Sequence, residues 1–116
     1  MPLTFGERLR ELRKAKDLTQ RELADKVKVD FTYLSKLEND QPGYQPSEKV
    51  IRDLAKVLGA DANELILLGQ KIPSDIEKKM MRNPKAQQFL RSAGDLADQD
   101  WDKIIEIVKK RVKKKQ

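Results

Sequence analysis

Cysteine and histidine are both absent from the chain. A structural zinc site needs thiolate or imidazole ligands, and redox exchange needs thiols, so both are excluded. Catalysis by a histidine base is excluded as well. Aromatic residues are scarce at 5%, with a single tryptophan, Trp101, which is expected to be buried. Long apolar runs are also missing. The longest aliphatic stretch is Leu65 to Leu68, far short of the roughly 20 residues that cross a bilayer. Glu7, Arg8 and Arg10 put charge where a signal segment would be apolar. The expectation is a soluble cytoplasmic protein with no membrane partner. No nucleophile and base can be paired from these residues, so no enzyme is expected and no cofactor or metal is implied. Asp98, Asp100 and Asp102 read as acids at a helix start and not as magnesium ligands.

Charge is plentiful, at 38% of residues and a net +6, but it is unevenly placed. Residues 1–69 carry 12 basic and 12 acidic side chains, whereas residues 70–116 carry 13 and 7. The whole excess lies in the second part, and Lys109 to Lys115 alone holds six basic residues. That run is either a solvated helix end or a source of phosphate contacts or of contacts with an acidic partner. Overall basicity therefore says little about residues 1–69, and function must be argued from individual positions.

Capping signals divide the chain into short helices. Thr4 with Glu7 and Thr19 with Glu22 have capping-box spacing, in which threonine and glutamate satisfy each other's free backbone N–H. Asp30 is placed to cap a third helix, Ser47 a fourth that Gly59 stops, and Asp61 with Glu64 a fifth that Gly69 stops. Leu9, Leu23, Leu34, Leu37, Ile51, Leu54 and Leu65 fall at inward-facing helical spacing. Ser74 with Glu77, Asn83 before Pro84, and Asp98 open three further helices. On the last of these, Trp101, Ile104, Ile105, Val108 and Val112 form one stripe, read as core or dimer contact. The expected fold is all-α: a five-helix domain over residues 1–69, then a helical extension over 70–116. No strand pattern appears.

The second and third helices carry the functional signal. Ala24 permits their close approach, and Lys28-Val29 is a tight connection. Such a pair crosses steeply and leaves one face of the second helix open, at a width that suits the DNA major groove. Leu18-Thr19-Gln20, Leu23-Ala24, Leu34-Ser35-Lys36-Leu37-Glu38-Asn39, Pro46-Ser47, Leu54-Ala55 and Leu58-Gly59 together resemble the Cro/CI-like (XRE) helix-turn-helix regulators over about residues 5–69. The resemblance implies binding to double-stranded DNA, most simply as a repressor. One short recognition helix reads only a few base pairs, so a homodimer on a palindromic operator is expected, with the Leu65–Leu68 helix, the Trp101–Val112 stripe or both as the dimer contact.

Carried over position by position, the resemblance places Thr19 and Gln20 at the start of the first motif helix, where phosphate is contacted. It places Phe31, Thr32, Tyr33 and Ser35 on the recognition helix and Lys36 within reach of a base or phosphate. Asn39 follows at a second phosphate contact. Phe31 either meets a thymine methyl or folds back onto Val29 and Tyr33. Arg13 and Glu38 match a structural ion pair. The chain departs from the family at Asp17, Lys28 and Asp40, where glycine is common and the backbone is left-handed. Lysine at such a position costs roughly 1 kcal/mol. Asp17, Asp30 and Asp40 would also set negative charge near phosphates.

Gly69 to Pro73, Asp75-Ile76, Asn83-Pro84, Phe89-Leu90-Arg91 and Asp100-Trp101 resemble an extension found on some XRE regulators. That resemblance implies pairing with a regulatory metallopeptidase of the ImmA/IrrE kind. The neutral charge of residues 1–69 keeps a second class open, an antitoxin or protein-interaction module whose partner is a toxin.

Overall fold

Thr4 and Thr19 each accept a bond from the backbone N–H three residues on, at 3.1 Å, and their own backbone N–H groups donate to the Glu7 and Glu22 carboxylates at 3.0 and 2.9 Å. These two capping boxes open α1 (Phe5–Ala15) and α2 (Gln20–Val27) in the computed structural model. The structure describes residues 3–115, without the side chains of residues 113–115. Helices α3 (Phe31–Glu38), α4 (Glu48–Leu58) and α5 (Ala62–Leu68) complete the first group. Ser47 caps α4 through the Val50 N–H at 3.2 Å, and Asp61 caps α5. Then come α6 (Ser74–Met81), α7 (Pro84–Ala93) and α8 (Asp98–Lys115). Among the described residues the fold is all-α, as expected, and no helix is long and apolar enough to cross a membrane.

The chain forms two compact units, the first running to Ile76 and the second from Glu77. In the first, Leu9, Leu23, Leu34, Ile51, Leu54, Leu65 and Ile66 are completely buried in one cluster. Burying such a side chain is worth about 1.5–3 kcal/mol, so this cluster holds the short helices that caps alone cannot sustain. Helix α4 packs on α2 and α5, and α1 packs on α3 and α5. The segment after α5 is tied back to α4 by Glu48, whose carboxylate accepts the Ser74 N–H and hydroxyl, each at 2.9 Å. These bonds hold the Glu48 carboxyl below its usual range. Pro73 is fully buried beside them.

Asp17, Lys28 and Asp40 all take left-handed backbone, with φ of 55°, 59° and 52°. The geometry of the family's glycine positions is therefore kept without glycine. At Lys28 the backbone N–H still donates to the Ala24 and Asp25 carbonyls, and the Val29 N–H follows to Ala24, which closes α2.

Three expected caps differ. Asp30 stands at the start of α3 with extended backbone, but its carboxylate accepts no capping bond. The Ser74 hydroxyl goes to Glu48, a partner 26 residues away, and not to its own helix. Asp98 is already helical, and the return bond runs from the Ala97 N–H to Asp100 Oδ2 at 3.1 Å.

In the second unit Asn83 caps α7 through the Lys85 N–H at 2.9 Å, with Pro84 in the first turn. Trp101 is not buried as expected: it is 37% exposed, with its ring edge-on to Phe89 at 6.1 Å. Among its described residues this unit buries no large apolar side chain, so Ile105, Val108 and Val112 remain exposed beside Trp101. Of the basic run, Lys109 to Arg111 are exposed. The side chains of Lys113, Lys114 and Lys115 lie outside the described residues.

Candidate nucleic-acid interface

A buried carboxylate sets the orientation of α3. Glu38, at its last turn, has no exposed side-chain surface. Its Oε2 accepts from Arg13 Nε at 2.7 Å, and its Oε1 accepts from Arg13 Nη2 and Gln20 Nε2, each at 3.0 Å. Arg10 Nε adds a longer bond at 3.5 Å, and Arg13 Nη1 donates to the Leu18 carbonyl at 2.8 Å. One acidic side chain thus joins α1, the start of α2 and the end of α3. Burial disfavours its ionised form, but the bonds from Arg13, Gln20 and Arg10 outweigh that and hold its carboxyl below the usual range. Arg13 and Glu38 form the structural ion pair that the resemblance implies.

With that end fixed and Leu34 and Leu37 buried in the core, the opposite face of α3 is open. Thr32 is exposed there, and Ser35 and Lys36 are half-buried. Lys36 Nζ donates to the Tyr44 hydroxyl at 2.7 Å and stands 4.5 Å from its ring centroid. Tyr33 packs on the core, its ring 6.3 Å from that of Tyr44, and burial pushes its hydroxyl pKa up. Phe31 also packs on the core, with the Arg21 guanidinium 4.4 Å from the centre of its ring. Asn39 donates to the Ser35 carbonyl at 2.9 Å and accepts from Arg10 Nη2 at 2.8 Å.

Most of the eight candidate residues therefore fall into connected groups. Gln20 and Asn39 belong to the network around Glu38 and Arg10, and the Ser35 carbonyl joins it through Asn39. Phe31 lies under Arg21, Tyr33 and Lys36 adjoin Tyr44, and Thr32 stands free on the surface. Thr19 caps α2 with its oxygen as acceptor, which leaves its hydroxyl proton to donate outward. Arg10, Arg21 and Tyr44 were not among the candidates. Arg21 had a local signal, since it lies next to Gln20 in the first turn of α2. Tyr44 had none, because only the path of the loop between α3 and α4 brings it over Lys36.

Comparison with known proteins agrees with the fold. The helix-turn-helix family profile matches residues 9–65. The HTH-type transcriptional regulator DicA of Escherichia coli is 32% identical over 114 residues, covering 96% of this chain and 82% of that protein. The chain belongs to the XRE-type helix-turn-helix regulators.

The immunity repressor protein of Bacillus phage phi105 is 33% identical over 64 residues, 55% of this regulator and 43% of the phage protein. The competence pilus inhibition repressor of Acinetobacter baylyi is 30% identical over 73 residues, 63% of this regulator and 64% of the relative. This regulator thus matches less than two thirds of the length of these two relatives. A chain from a solved SinR protein/SinI protein complex aligns with 97% of the regulator and 100% of itself, at a TM-score of 0.53 and 23% identity, a likeness of fold alone. Membership of a family of regulators agrees with the expectation that the protein is not an enzyme.

Proposed function

We propose that this regulator binds double-stranded DNA sequence-specifically in the cytoplasm, as a homodimeric repressor of a palindromic operator, with α3 as its recognition helix. The observation that carries the reading is the two-sidedness of α3: Leu34 and Leu37 are locked inward, and Thr32, Ser35 and Lys36 are left outward. Thr32, Ser35 and Lys36 read base edges. Thr19 and Gln20, at the positive end of the α2 dipole, hold one phosphate, and Asn39 holds a second. Phe31 and Tyr33 flank the face and fix its width. Tyr44 holds the Lys36 ammonium with its hydroxyl and ring, and Arg21 adds a cation beside the first phosphate.

One short helix reads only a few base pairs, so selection of a genomic site calls for two copies about one helical turn apart. The exposed α8 stripe of Trp101, Ile105, Val108 and Val112 supplies an apolar surface for that pairing. Selection of binding sites from random duplexes, followed by sedimentation of the protein free and bound, tests both parts. A palindrome with two regularly spaced half-sites and a dimeric species are expected. Failure to enrich any sequence would overturn the DNA reading, and a monomer in both states would overturn the dimer.

A further inference from the structure

Between the C-terminal end of α2 and the outer side of α4 lies a groove of about 670 Å³. No residue of α3 lines it, so it is separate from the recognition face. Lys26 and Lys28 stand on its α2 side, and Lys49 and Lys56 on its α4 side. Asp53 is the one acid lining it, and it already pairs with Lys49 at 3.1 Å. Among the described residues, Lys26, Lys28 and Lys56 enter no ion pair. The floor is apolar: Val27 is buried, and Val29, Val50 and Val57 are each half-buried. Lys28 reaches the rim only by holding φ 59° and ψ 45°, a backbone that glycine would adopt more easily. At that position the chain accepts strain and gains a charge.

We propose that this groove docks an acidic amphipathic segment of a partner protein, its carboxylates on the lysines and its apolar side chains on the valines. Charge complementarity identifies the occupant. Three cations without acidic partners at the rim call for an anion, and four valines at the floor call for apolar side chains on the same ligand. A phosphate backbone satisfies the first demand and wastes the second. A helical protein segment with acidic residues along one side and aliphatic residues along the other satisfies both, by the groove-binding mode that amphipathic helices use.

The test uses the full chain and a fluorescein-labelled peptide of about a dozen residues with leucine at helical spacing (i, i+3, i+4, i+7) and glutamate at most other positions. One control peptide has the leucines replaced by serine, and random-sequence duplex DNA is a second control. The wild-type protein is expected to bind the glutamate–leucine peptide at least tenfold more tightly than the serine version. The combined variant Lys26→Gln, Lys49→Gln and Lys56→Gln is expected to weaken peptide binding at least tenfold while changing duplex affinity less than threefold. Lys28→Gly, which relieves strain, is expected to weaken the peptide severalfold while keeping the protein folded, so loss of binding is separable from loss of fold. Failure of the peptide to bind would overturn the proposal, as would equal affinity for the serine version. Peptide binding unaffected by the triple variant would overturn it too. A duplex affinity falling as far as the peptide affinity would assign the groove to phosphate and equally overturn it.

Discussion

The Asp40 carboxylate accepts the Gly6 backbone N–H at 2.8 Å, joining the loop after α3 to the first turn of α1. Its second oxygen accepts from the Thr4 hydroxyl at 2.6 Å. Asp40 thus spends its charge on the N-terminus of α1, where a negative group is favoured. This explains how an aspartate is tolerated beside the proposed DNA-facing elements. The contact requires glycine opposite. A Cβ on Gly6 would stand 2.5 Å from the Glu38 carbonyl oxygen and 2.7 Å from that of Leu37.

Gly6→Ala is therefore expected to destabilise strongly, since the obstructing atoms are backbone and cannot swing aside. Overpacking of this kind costs about 1–3 kcal/mol or more, a fall of at least about 4 °C in Tm for a domain of this size. Thermal unfolding followed by circular dichroism measures it. A Tm equal to wild type would show that α1 and the end of α3 separate freely. α1 would then give no fixed support to α3.

Glu38 is the second point of sensitivity. Glu38→Ala leaves Arg13 buried without its partner, a loss on the order of 3–5 kcal/mol. The pH dependence follows from the lowered carboxyl of Glu38. The folded state binds its proton less readily than the unfolded chain does. The stabilisation is complete above the ordinary carboxylate range and is lost as pH falls through that range and then through the lowered folded value. Urea unfolding at a series of acidic pH values should show stability declining toward acid. Glu38→Gln should reduce the slope, with exposed Glu22 and half-buried Glu48 contributing weakly in the same direction. An unchanged slope in Glu38→Gln would remove Glu38 as the source.

Local signals in the sequence correctly located most helix starts. The capping boxes at Thr4 and Thr19, the caps at Ser47, Asp61 and Asn83, and the inward leucines depend on residues within one or two turns, and all stand where expected. Ser74 misled because its best partner, Glu48, is distant in sequence. Trp101 misled because its hydrophobicity says that it will be covered, not by what. At the candidate interface, the open face of α3 was legible from periodicity. The Tyr44 hydroxyl on Lys36 depends on a loop path that no spacing encodes.

Lys28 tests whether backbone strain is present at the turn of the motif. Removing its Cβ relieves a left-handed conformation worth about 1–2 kcal/mol, but glycine returns about 0.5–1 kcal/mol as entropy of the unfolded chain. Lys28→Gly is expected to stabilise by about 0.5–1 kcal/mol. Lys28→Val should destabilise, since a β-branched side chain tolerates this backbone poorly. Paired urea titrations of the two variants give the comparison. A Lys28→Gly variant less stable than wild type would mean that the lysine side chain makes a stabilising contact that outweighs its strain.

The decisive variant for DNA recognition is the double change Thr32→Ala and Lys36→Ala. Thr32 is exposed, and Lys36 is held only by Tyr44, so the core is left intact. If each side chain reads a base, the loss on the operator is about 1–3 kcal/mol apiece, and random duplex is affected far less. The alternative for Lys36 is a phosphate contact, and the two separate cleanly in Lys36→Ala alone. A phosphate contact would lower affinity equally on operator and random DNA and would flatten the slope of log affinity against log salt by roughly 0.9. A base contact lowers operator affinity selectively and leaves that slope nearly unchanged. Tyr44→Phe refines the reading, because it keeps the ring over Lys36 and removes the hydroxyl that holds Nζ. It should cost less than Lys36→Ala and act in the same direction. A folded double variant that binds its operator as tightly as wild type would show that α3 does not present the DNA-reading face.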